Sequence, residues 1–291
     1  MADGIIEKIV SPGGTEEVYD DMDSIDDFPE LYPYQVGGHH LITRHPTRSD
    51  WIVKNTVPKE RAFYQAAQLD PELCQVISSY NGIYKSCSDH HEHQNHHQQL
   101  HHNLNSNCQG DEHLILEDLT SGMVEPCLLD VQIGRRLYDE EATVEKRTRM
   151  IRKAQASTSA SCGFRLSGLR YIDAMGIVHV KLKKSMRALS SEELLPTLNL
   201  FLQSSDEYRS ELIARYLERI ESIKQAVIHS HGLFYSSSIL LLYDGKDPRR
   251  WDCRMIDFVH SRLDQQKPST IIDTNYIEGL ECFSNYLSLL S

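Results

Sequence analysis

The sequence lacks paired cysteines, long apolar runs and an excess of basic charge. Its seven cysteines form no C-x-x-C pair, which argues against a zinc finger or a disulfide framework and favours reduced thiols. The longest apolar run, Ile239–Tyr243, is far shorter than the roughly 20 residues that cross a bilayer. A formal charge of -12 argues against general binding to nucleic acid or to anionic membranes. We therefore expect a soluble protein of the cytoplasm or nucleus.

Motifs of several familiar enzyme classes are also missing. There is no GxxxxGK[ST] phosphate loop, no GxGxxG fingerprint, no HExxH and no GxSxG elbow. The HRD triplet of protein-kinase catalytic loops is absent as well. Any catalytic chemistry must therefore come from residues dispersed along the chain.

Length and composition predict a folded core with two segments outside it. The 291 residues are 40% hydrophobic and 25% charged, which suits one large or two small domains. Residues 1–30 carry ten acids and one lysine, which predicts a flexible tail and neither a secretory nor a transit signal. The stretch of about 86–110 is rich in Gln, Asn and Ser, and seven histidines fall within residues 90–102. A metal site is one reading of these histidines, but the composition favours a disordered insertion.

The pattern of apolar residues between these segments is typical of an α+β protein, with strands early, helices in the middle and strands again. Capping-box spacings at Ser190 and Ser204 predict the starts of two helices. The other predicted elements are a hairpin within 36–54, a helix over 58–67, and strands over 114–116, 127–131, 234–243 and 253–259.

Charged residues stand at the ends of the predicted strands. Lys54 closes one strand ahead of Glu60, Asp130 ends another, and Asp257 interrupts an apolar run. A buried acid is costly unless it is paired or holds a cation. A strand lysine together with a carboxylate for Mg²⁺ suits phosphoryl transfer, which depends on positioning and charge neutralisation. The alternative interpretation is that these residues are ordinary salt-bridge partners.

Basic residues are concentrated in one part of the acidic chain. Residues 146–187 contain eleven Lys and Arg and one acid, a local formal charge of +10 that leaves -22 for the remainder. The block indicates either a local anion site or a solvated basic face.

The segment Pro126–Gly134 resembles the PxxxDxKxG signature of the inositol polyphosphate kinase family, with Gln132 where the family has Lys. Further matching stretches, in the family's order, are 35–39 (QVGGH), 54–64, 116–119 (LEDL), 157–160 (STSA), 235–241 (YSSSILL), 255–260 (MIDFVH) and 273–280. Within the family the chain is most similar to inositol hexakisphosphate kinases. The resemblance implies a two-lobed α+β fold, distantly protein-kinase-like, with ATP in the cleft between an N-terminal lobe of 31–120 and a C-terminal lobe of 121–291.

The resemblance also implies a role for individual residues, with ATP and Mg²⁺ as cofactors. For the nucleotide, Lys54 holds the ATP phosphates, Glu117 and the backbone of Leu119 hold adenine, and Asp130 binds the ribose. Asp257 coordinates Mg²⁺, and Ser238 lies near the phosphates. Lys146 and Lys153 contact the inositol phosphate. The catalytic set implied in this way is Lys54, Asp257 and the signature position Gln132. No protein partner, nucleic acid or membrane span is implied.

Gln132 leaves two hypotheses open. Glutamine can donate a hydrogen bond to a phosphate but carries no charge, and loss of one such group typically costs about 10²–10³ in rate. Arg136, on the same side of a continuing strand, or Arg135 would be able to supply a replacement charge and contact substrate. The chain is then either an ATP-dependent kinase of a soluble inositol polyphosphate, with the hexakisphosphate converted to a pyrophosphate, or a weakened pseudokinase that acts as a sensor or scaffold.

Overall fold

The computed structural model describes residues 31–37, 41–85, 112–263 and 272–291. The predicted acidic tail and the histidine-rich insertion lie outside the described residues. The strands are β1 Ile42–Arg44, β2 Trp51–Asn55, β3 Tyr80–Lys85, β4 Glu112–Glu117, β5 Pro126–Ile133, β6 Phe164–Ile172, β7 Val178–Lys181, β8 Leu233–Phe234, β9 Ser238–Asp244, β10 Trp251–Ile256 and β11 Ser261–Arg262. The helices are α1 Pro58–Ala67, α2 Pro71–Val76, α3 Val144–Gln155, α4 Thr158–Cys162, α5 Lys183–Arg187, α6 Ser191–Phe201, α7 Arg209–Ser230 and α8 Thr274–Ser288.

A four-stranded antiparallel sheet, in the order β1-β2-β4-β3, forms one layer of the molecule. Its β1–β2 hairpin and the following helix α1 were both predicted from the sequence. Pro58 opens α1, where its missing N–H removes no helical hydrogen bond. The helix directs Phe63 and Tyr64 into the core, and it directs Glu60 toward β2.

A five-stranded antiparallel sheet, in the order β10-β9-β5-β6-β7, forms the centre of the second layer. All residues of β6 are buried, and β5 is buried except at Gln132. Strands covered on both faces are expected to read as continuous apolar runs, so the polar residues within β5 stand out. Helix α7 contributes a buried stripe through Ile213, Ile220 and Val227, as its sequence pattern predicts.

Three predicted element boundaries need correction. The Ser204 spacing begins a 3-10 helix, Gln203–Tyr208, and α7 starts only at Arg209. The strand predicted over 234–243 is divided into β8 and β9, because Ser236 adopts a left-handed φ of 58°. The strand predicted over 253–259 ends at Ile256, because Asp257 has a φ of 63°. The capping box at Ser190 is confirmed.

The two sheets are joined by direct packing next to a cleft. Phe63 of α1 stacks on Phe258, which follows β10, with ring centroids 4.1 Å apart. An isolated parallel bridge also links Ile77 to Met255 of β10. This architecture confirms the α+β, two-lobed fold expected from the sequence. Among the described residues, no helix is both long and apolar enough to cross a bilayer.

Candidate active site

The cleft between the two sheets has an apolar interior and a charged end. Ile52, Leu116, Leu128, Leu240 and Ile256 supply the apolar walls from both sheets. The charged side chains at its end are those of Lys54, Asp130 and Asp257. A planar apolar group and an attached anion are therefore accommodated side by side.

Lys54 is held by two carboxylates, one on each side of the cleft. Its Nζ lies 2.8 Å from Glu60 Oε1 and 2.5 Å from Asp257 Oδ1. Burial lowers the pKa of Lys54, but Asp257 and Glu60 reverse this effect and hold it well above its ordinary value. The lysine therefore remains charged at neutral pH.

Glu60 also fixes the position of Asp257. The fully buried Glu60 carboxylate accepts from the backbone N–H of Phe258 at 3.1 Å and from Thr56 Oγ1 at 2.9 Å. The adjoining Asp257 is left-handed, a conformation that costs a non-glycine residue energy and is concentrated at functional sites. Its side chain remains 28% exposed toward the cleft. No group of three or more His, Cys, Asp or Glu within the described ranges suits a metal ion. Mg²⁺ commonly uses one or two carboxylates together with substrate phosphates, and Asp257 with Asp130 nearby fits that use.

Asp130 lies on the central strand β5 and is only 2% exposed. Burial, reinforced by the charge of Asp257, raises the pKa of Asp130 to about 6, although Ser238 donates a hydrogen bond to it. Its Oδ1 is buried and has no hydrogen-bond partner among the described residues. The backbone of Gly37 approaches so closely that a Cβ there would lie 2.0 Å from Asp130 Oδ2. This carboxylate is therefore an acceptor with unused capacity at the cleft.

The segment that leaves β4 is anchored to the chain before β1. Asp118 Oδ1 accepts from Tyr32 Oη at 2.6 Å and from the backbone N–H of Thr120 at 2.9 Å. Glu117 and Leu119 flank this anchor and line the cleft, and the Glu117 carboxylate accepts from Ser79 Oγ at 2.7 Å. The structure thus places both residues at the apolar part of the cleft.

Gln132 lies two residues after Asp130 on β5 and is next to Ser238 of β9, with which it pairs. The Gln132 amide donates to the backbone carbonyl of Ser236 at 2.8 Å, and its Oε1 has no partner in the described ranges. The glutamine side chain is therefore turned toward the β8–β9 connection.

The two arginines after Gly134 do not continue strand β5, contrary to the expectation for Arg136. Strand β5 ends at Ile133 and Gly134 has a φ of 96°, so the chain turns away before Arg136. The Arg136 guanidinium lies between the rings of Tyr138 and Tyr235, 4.8 Å and 4.6 Å from their centroids. Arg135 donates to the carbonyls of Ala160 and Ser161.

Four cations from three elements act on one another, and two of them, Arg165 and Lys183, also act on Asp130. The members are Lys153 of α3, Arg165 of β6, and Lys183 and Arg187 of α5, which we call the cation cluster. Burial, with repulsion from Arg187, lowers the pKa of Lys153 and of Lys183 to about 8. Several guanidinium nitrogens of Arg165 and Arg187 are buried without a partner among the described residues. A cluster of this kind is suited to a polyanion.

Lys146 lies two helical turns before Lys153 on α3 and belongs to a different group. It acts electrostatically on His260 and Asp139, and Lys59 of α1 donates to Asp139 at 2.9 Å. Burial, together with the charge of Lys146, lowers the pKa of His260. Lys146 and Lys153, near opposite ends of α3, thus act on two different groups of charged residues.

Sequence reasoning identified the acids and Lys54 but not Arg165, Lys183 or Arg187. These three were visible only as members of the basic block, because strands β6 and β7 and helix α5 were not predicted. Gly37 and Tyr32 were also missed, since their importance comes from a tertiary contact. The spacing of basic residues along the block carried no signal for which of them converge.

The comparisons with known proteins agree with this geometry. A sequence model described as "Inositol polyphosphate kinase" matches residues 113–288. Inositol hexakisphosphate kinase 3 of Mus musculus is 33% identical over 190 residues, covering 58% of this chain and 48% of the relative. Inositol hexakisphosphate kinase 2 of Homo sapiens is 25% identical and covers 87% of this chain and 71% of the relative. For most of the inositol hexakisphosphate kinases that it matches, this chain spans about half of the relative's length.

A solved structure shows the same fold. The crystal structure of inositol phosphate multikinase Ipk2 from S. cerevisiae, in complex with ADP and Mn²⁺, superposes with a TM-score of 0.66 at 25% identity. The match covers 82% of this chain and 98% of that chain. With more than half of the chain matched by the family's sequence model and the same fold in a solved relative, this chain belongs to the inositol polyphosphate kinase family.

Proposed function

We propose that this chain is an ATP-dependent kinase that transfers the γ-phosphoryl group to a soluble inositol polyphosphate. The observation that carries the proposal is the cleft in which Lys54, Asp130 and Asp257 lie beside the cation cluster. Phosphoryl transfer relies on positioning and on neutralisation of phosphate charge, and this arrangement offers groups for both.

The nucleotide would occupy the apolar part of the cleft. Adenine would lie against Glu117 and the backbone of Leu119, with the ribose at Asp130 and the phosphates at Lys54. Support comes from the free acceptor capacity of Asp130 and from the lysine's permanent charge. Ser238, which donates to Asp130, would then lie near the phosphates.

Asp257 would hold the divalent cation, which we propose to be Mg²⁺. When bound, such an ion would offset the charge of the phosphates. The chain's contribution is a carboxylate whose backbone is fixed through Glu60 and Phe258. The relative solved with ADP and Mn²⁺ supports the use of a nucleotide with a divalent ion.

Inositol hexakisphosphate is the substrate that we propose for the cation cluster. Its many phosphates match several converging cations better than a substrate with few phosphates would. Lys146, near His260, would extend the contacts beyond Lys153. The relatives named inositol hexakisphosphate kinases support this choice. Because the chain is also similar to the inositol polyphosphate multikinase of Saccharomyces cerevisiae, a lower inositol phosphate is the first substrate to compare with it.

Gln132 supports a second candidate function, that of a pseudokinase which binds nucleotide or inositol phosphate without efficient turnover. Its amide is engaged with Ser236, and no positive charge stands at this position. In this case the protein acts as a sensor or scaffold.

The test is a turnover assay of the purified full chain with ATP, Mg²⁺ and a panel of inositol phosphates, with the products separated by charge. The kinase proposal expects a product carrying one more phosphate, and loss of that product in Asp257→Asn. Because Lys54 keeps Glu60 in this variant, the protein should remain folded.

The matched control is Asp247→Asn, which removes a carboxylate in the turn between β9 and β10 that pairs with Arg249 at 2.7 Å. It should turn over like the natural chain. Absence of product for every inositol phosphate, with nucleotide binding intact, would reject the kinase and retain the pseudokinase.

A further inference from the structure

The position opposite Gln132 on the other neighbouring strand is occupied by a buried cation. Gln132 of β5 pairs with Ser238 on one side and with Arg165 of β6 on the other. Residues directly opposite in an antiparallel pair project from the same face, with Cβ atoms about 5 Å apart. Ser238, Gln132 and Arg165 therefore form one row across the sheet, next to Asp130.

The buried charge of Arg165 is attracted by Asp130, but two of its nitrogens make no hydrogen bond to the described residues. Its side chain is 1% exposed, and its Nε and Nη1 have no hydrogen-bond partner in the described ranges. Burial and the neighbouring Arg187 lower the pKa of Arg165 to about 10, which leaves the guanidinium charged at neutral pH. A buried charge without its hydrogen bonds destabilises a fold unless a partner arrives from outside. Two of the Arg165 nitrogens therefore remain available to an anionic ligand.

The other basic residues close to the signature position are less suited to this task. Arg135 and Arg136 are bonded to carbonyls away from the cleft. Lys183 also acts on Asp130 and Asp257, but it is a point charge carried by the five-residue helix α5. Arg165 is held on a central, fully buried strand and offers a planar fork of donors.

We propose that Arg165 supplies the positive charge that Gln132 lacks and binds the transferring phosphoryl group. The proposal rests on the kinase function above. As the bond from the γ-phosphorus to the substrate oxygen forms, the bond to the β–γ bridging oxygen breaks and ADP leaves. Any proton on the substrate oxygen passes to water. Arg165 stays protonated throughout and offsets the charge on the oxygens of the group in transit.

The first test measures binding and needs no turnover. Equilibrium dissociation constants for ATP and ADP with Mg²⁺ are compared in the natural chain, Arg165→Met, Arg165→Lys and the exposed control Lys184→Gln. Methionine has a similar length without charge, and such replacements of buried ions are commonly well tolerated. We expect Arg165→Met to weaken ATP by about tenfold and ADP by less than twofold. The lysine variant should keep much of the preference for ATP, and Lys184→Gln all of it.

The second test exchanges the two positions. With inositol hexakisphosphate and ATP, Arg165→Met should lower kcat by about 10²–10³. Gln132→Lys added to Arg165→Met should recover at least tenfold in kcat. This gain should exceed the one that Gln132→Lys brings to the natural chain, where the charge is already present.

These outcomes separate the inference from the proposed function. Equal losses of ATP and ADP affinity in Arg165→Met, or none, overturn the role of Arg165 even if the chain is an active kinase. The same holds if Lys183→Gln abolishes the preference for ATP and Arg165→Met leaves it intact. No turnover in the natural chain, with the preference for ATP lost only in the Arg165 variants, rejects the kinase while keeping the phosphate contact.

Discussion

Single residues at the charged end of the cleft are arranged for a ligand rather than for stability. Asp130 is buried with an unused acceptor, and Arg165 is buried with unused donors. Each of these groups makes the unliganded protein less stable than an apolar or neutral residue would. Lys54 differs, because Glu60 and Asp257 satisfy it in the absence of any ligand.

Asp130→Asn should stabilise the unliganded protein at neutral pH while weakening ATP binding. The folded-state pKa of Asp130 is raised to about 6, so the folded state binds this proton more tightly than the unfolded chain does. The proton therefore contributes to stability at low pH, and this contribution is lost as the pH rises toward 6. Asparagine has no such loss. In urea titrations, the stability difference in favour of the variant should grow by about 1–2 kcal/mol from pH 5 to pH 7.5.

The control for this prediction is Asp247→Asn, since the side chain of Arg249 lowers the pKa of Asp247. That variant should gain no stability as the pH rises. An Asp130→Asn variant that is less stable than the natural chain at pH 7.5 would contradict the assignment of Asp130 as an unsatisfied acid.

At the level of elements, the cation cluster forms where helix α5 packs on strand β6 and helix α3 packs on the neighbouring helix α4. Helix α3 has one buried residue, Ala154, so it is attached to the fold mainly at its C-terminal end. Lys153 lies at that end and Lys183 begins α5. The two lysines come together with Arg165 only when α5 packs on β6 and α3 packs on α4.

Inositol hexakisphosphate should bind more weakly as the pH rises from 7 to 9. The pKa of about 8 for Lys153 and Lys183 means that both lose their protons in this range, whereas a bound polyanion raises their pKa and retains them. Binding should therefore take up protons, and the dissociation constant should increase by about tenfold over this interval, with each unit of pKa shift equivalent to 1.36 kcal/mol. Calorimetry in buffers of different ionisation enthalpy measures both quantities.

The double variant Lys153→Gln/Lys183→Gln serves as the control, because it retains the pH dependence of the ligand's own phosphates. If natural and double-variant proteins show the same pH dependence, the lysines do not contribute to it. The prediction would then be wrong.

A second prediction at this scale concerns the packing of α8 against β5. A Cβ at Gly279 would lie 2.6 Å from the Gly163 carbonyl and 2.7 Å from Ile133 Cγ2. Gly279→Ala should therefore displace α8 and destabilise the protein by about 1–3 kcal/mol, as overpacking does. Asn285→Ala, an exposed position on the same helix, should leave the urea midpoint unchanged or slightly higher. An unchanged midpoint in Gly279→Ala would show that α8 can shift at no cost.

For the molecule as a whole, the two sheets share one charged surface at their junction. Lys59 of α1 bonds to Asp139 and Glu141 beyond β5, and Lys54 of β2 bonds to Asp257 beyond β10. The members of the cation cluster repel one another. Ligand binding should consequently change the stability of the entire fold.

Inositol hexakisphosphate should raise the unfolding temperature of the chain, and added salt should reduce the effect. A ligand at 100 times its dissociation constant stabilises the native state by about 2.7 kcal/mol. The shift should shrink from 50 to 300 mM salt because ionic contacts are screened. Scanning fluorimetry of the natural chain and of Lys153→Gln/Lys183→Gln provides the comparison, with the double variant more stable alone and less responsive to ligand. A full ligand response in the double variant would contradict the prediction.

The sequence alone determined several local elements and singled out the charged residues at the strand ends. Pro58 at the start of α1, the capping box at Ser190 and the stripe on α7 are set by neighbouring residues, so local physics suffices to predict them. Lys54 and Asp130 were recognisable because charge at the end of an apolar strand demands a partner.

Tertiary structure decided which cations reach the site. Arg165 faces Gln132 because of a register shift between β5 and β6 at Asp130 and Val131, and register depends on how the strands pair. Arg136, by contrast, is removed from the cleft by the turn at Gly134 and by the rings of Tyr138 and Tyr235. Charge along a chain is readable from the sequence, but the distance between charges depends on long-range packing.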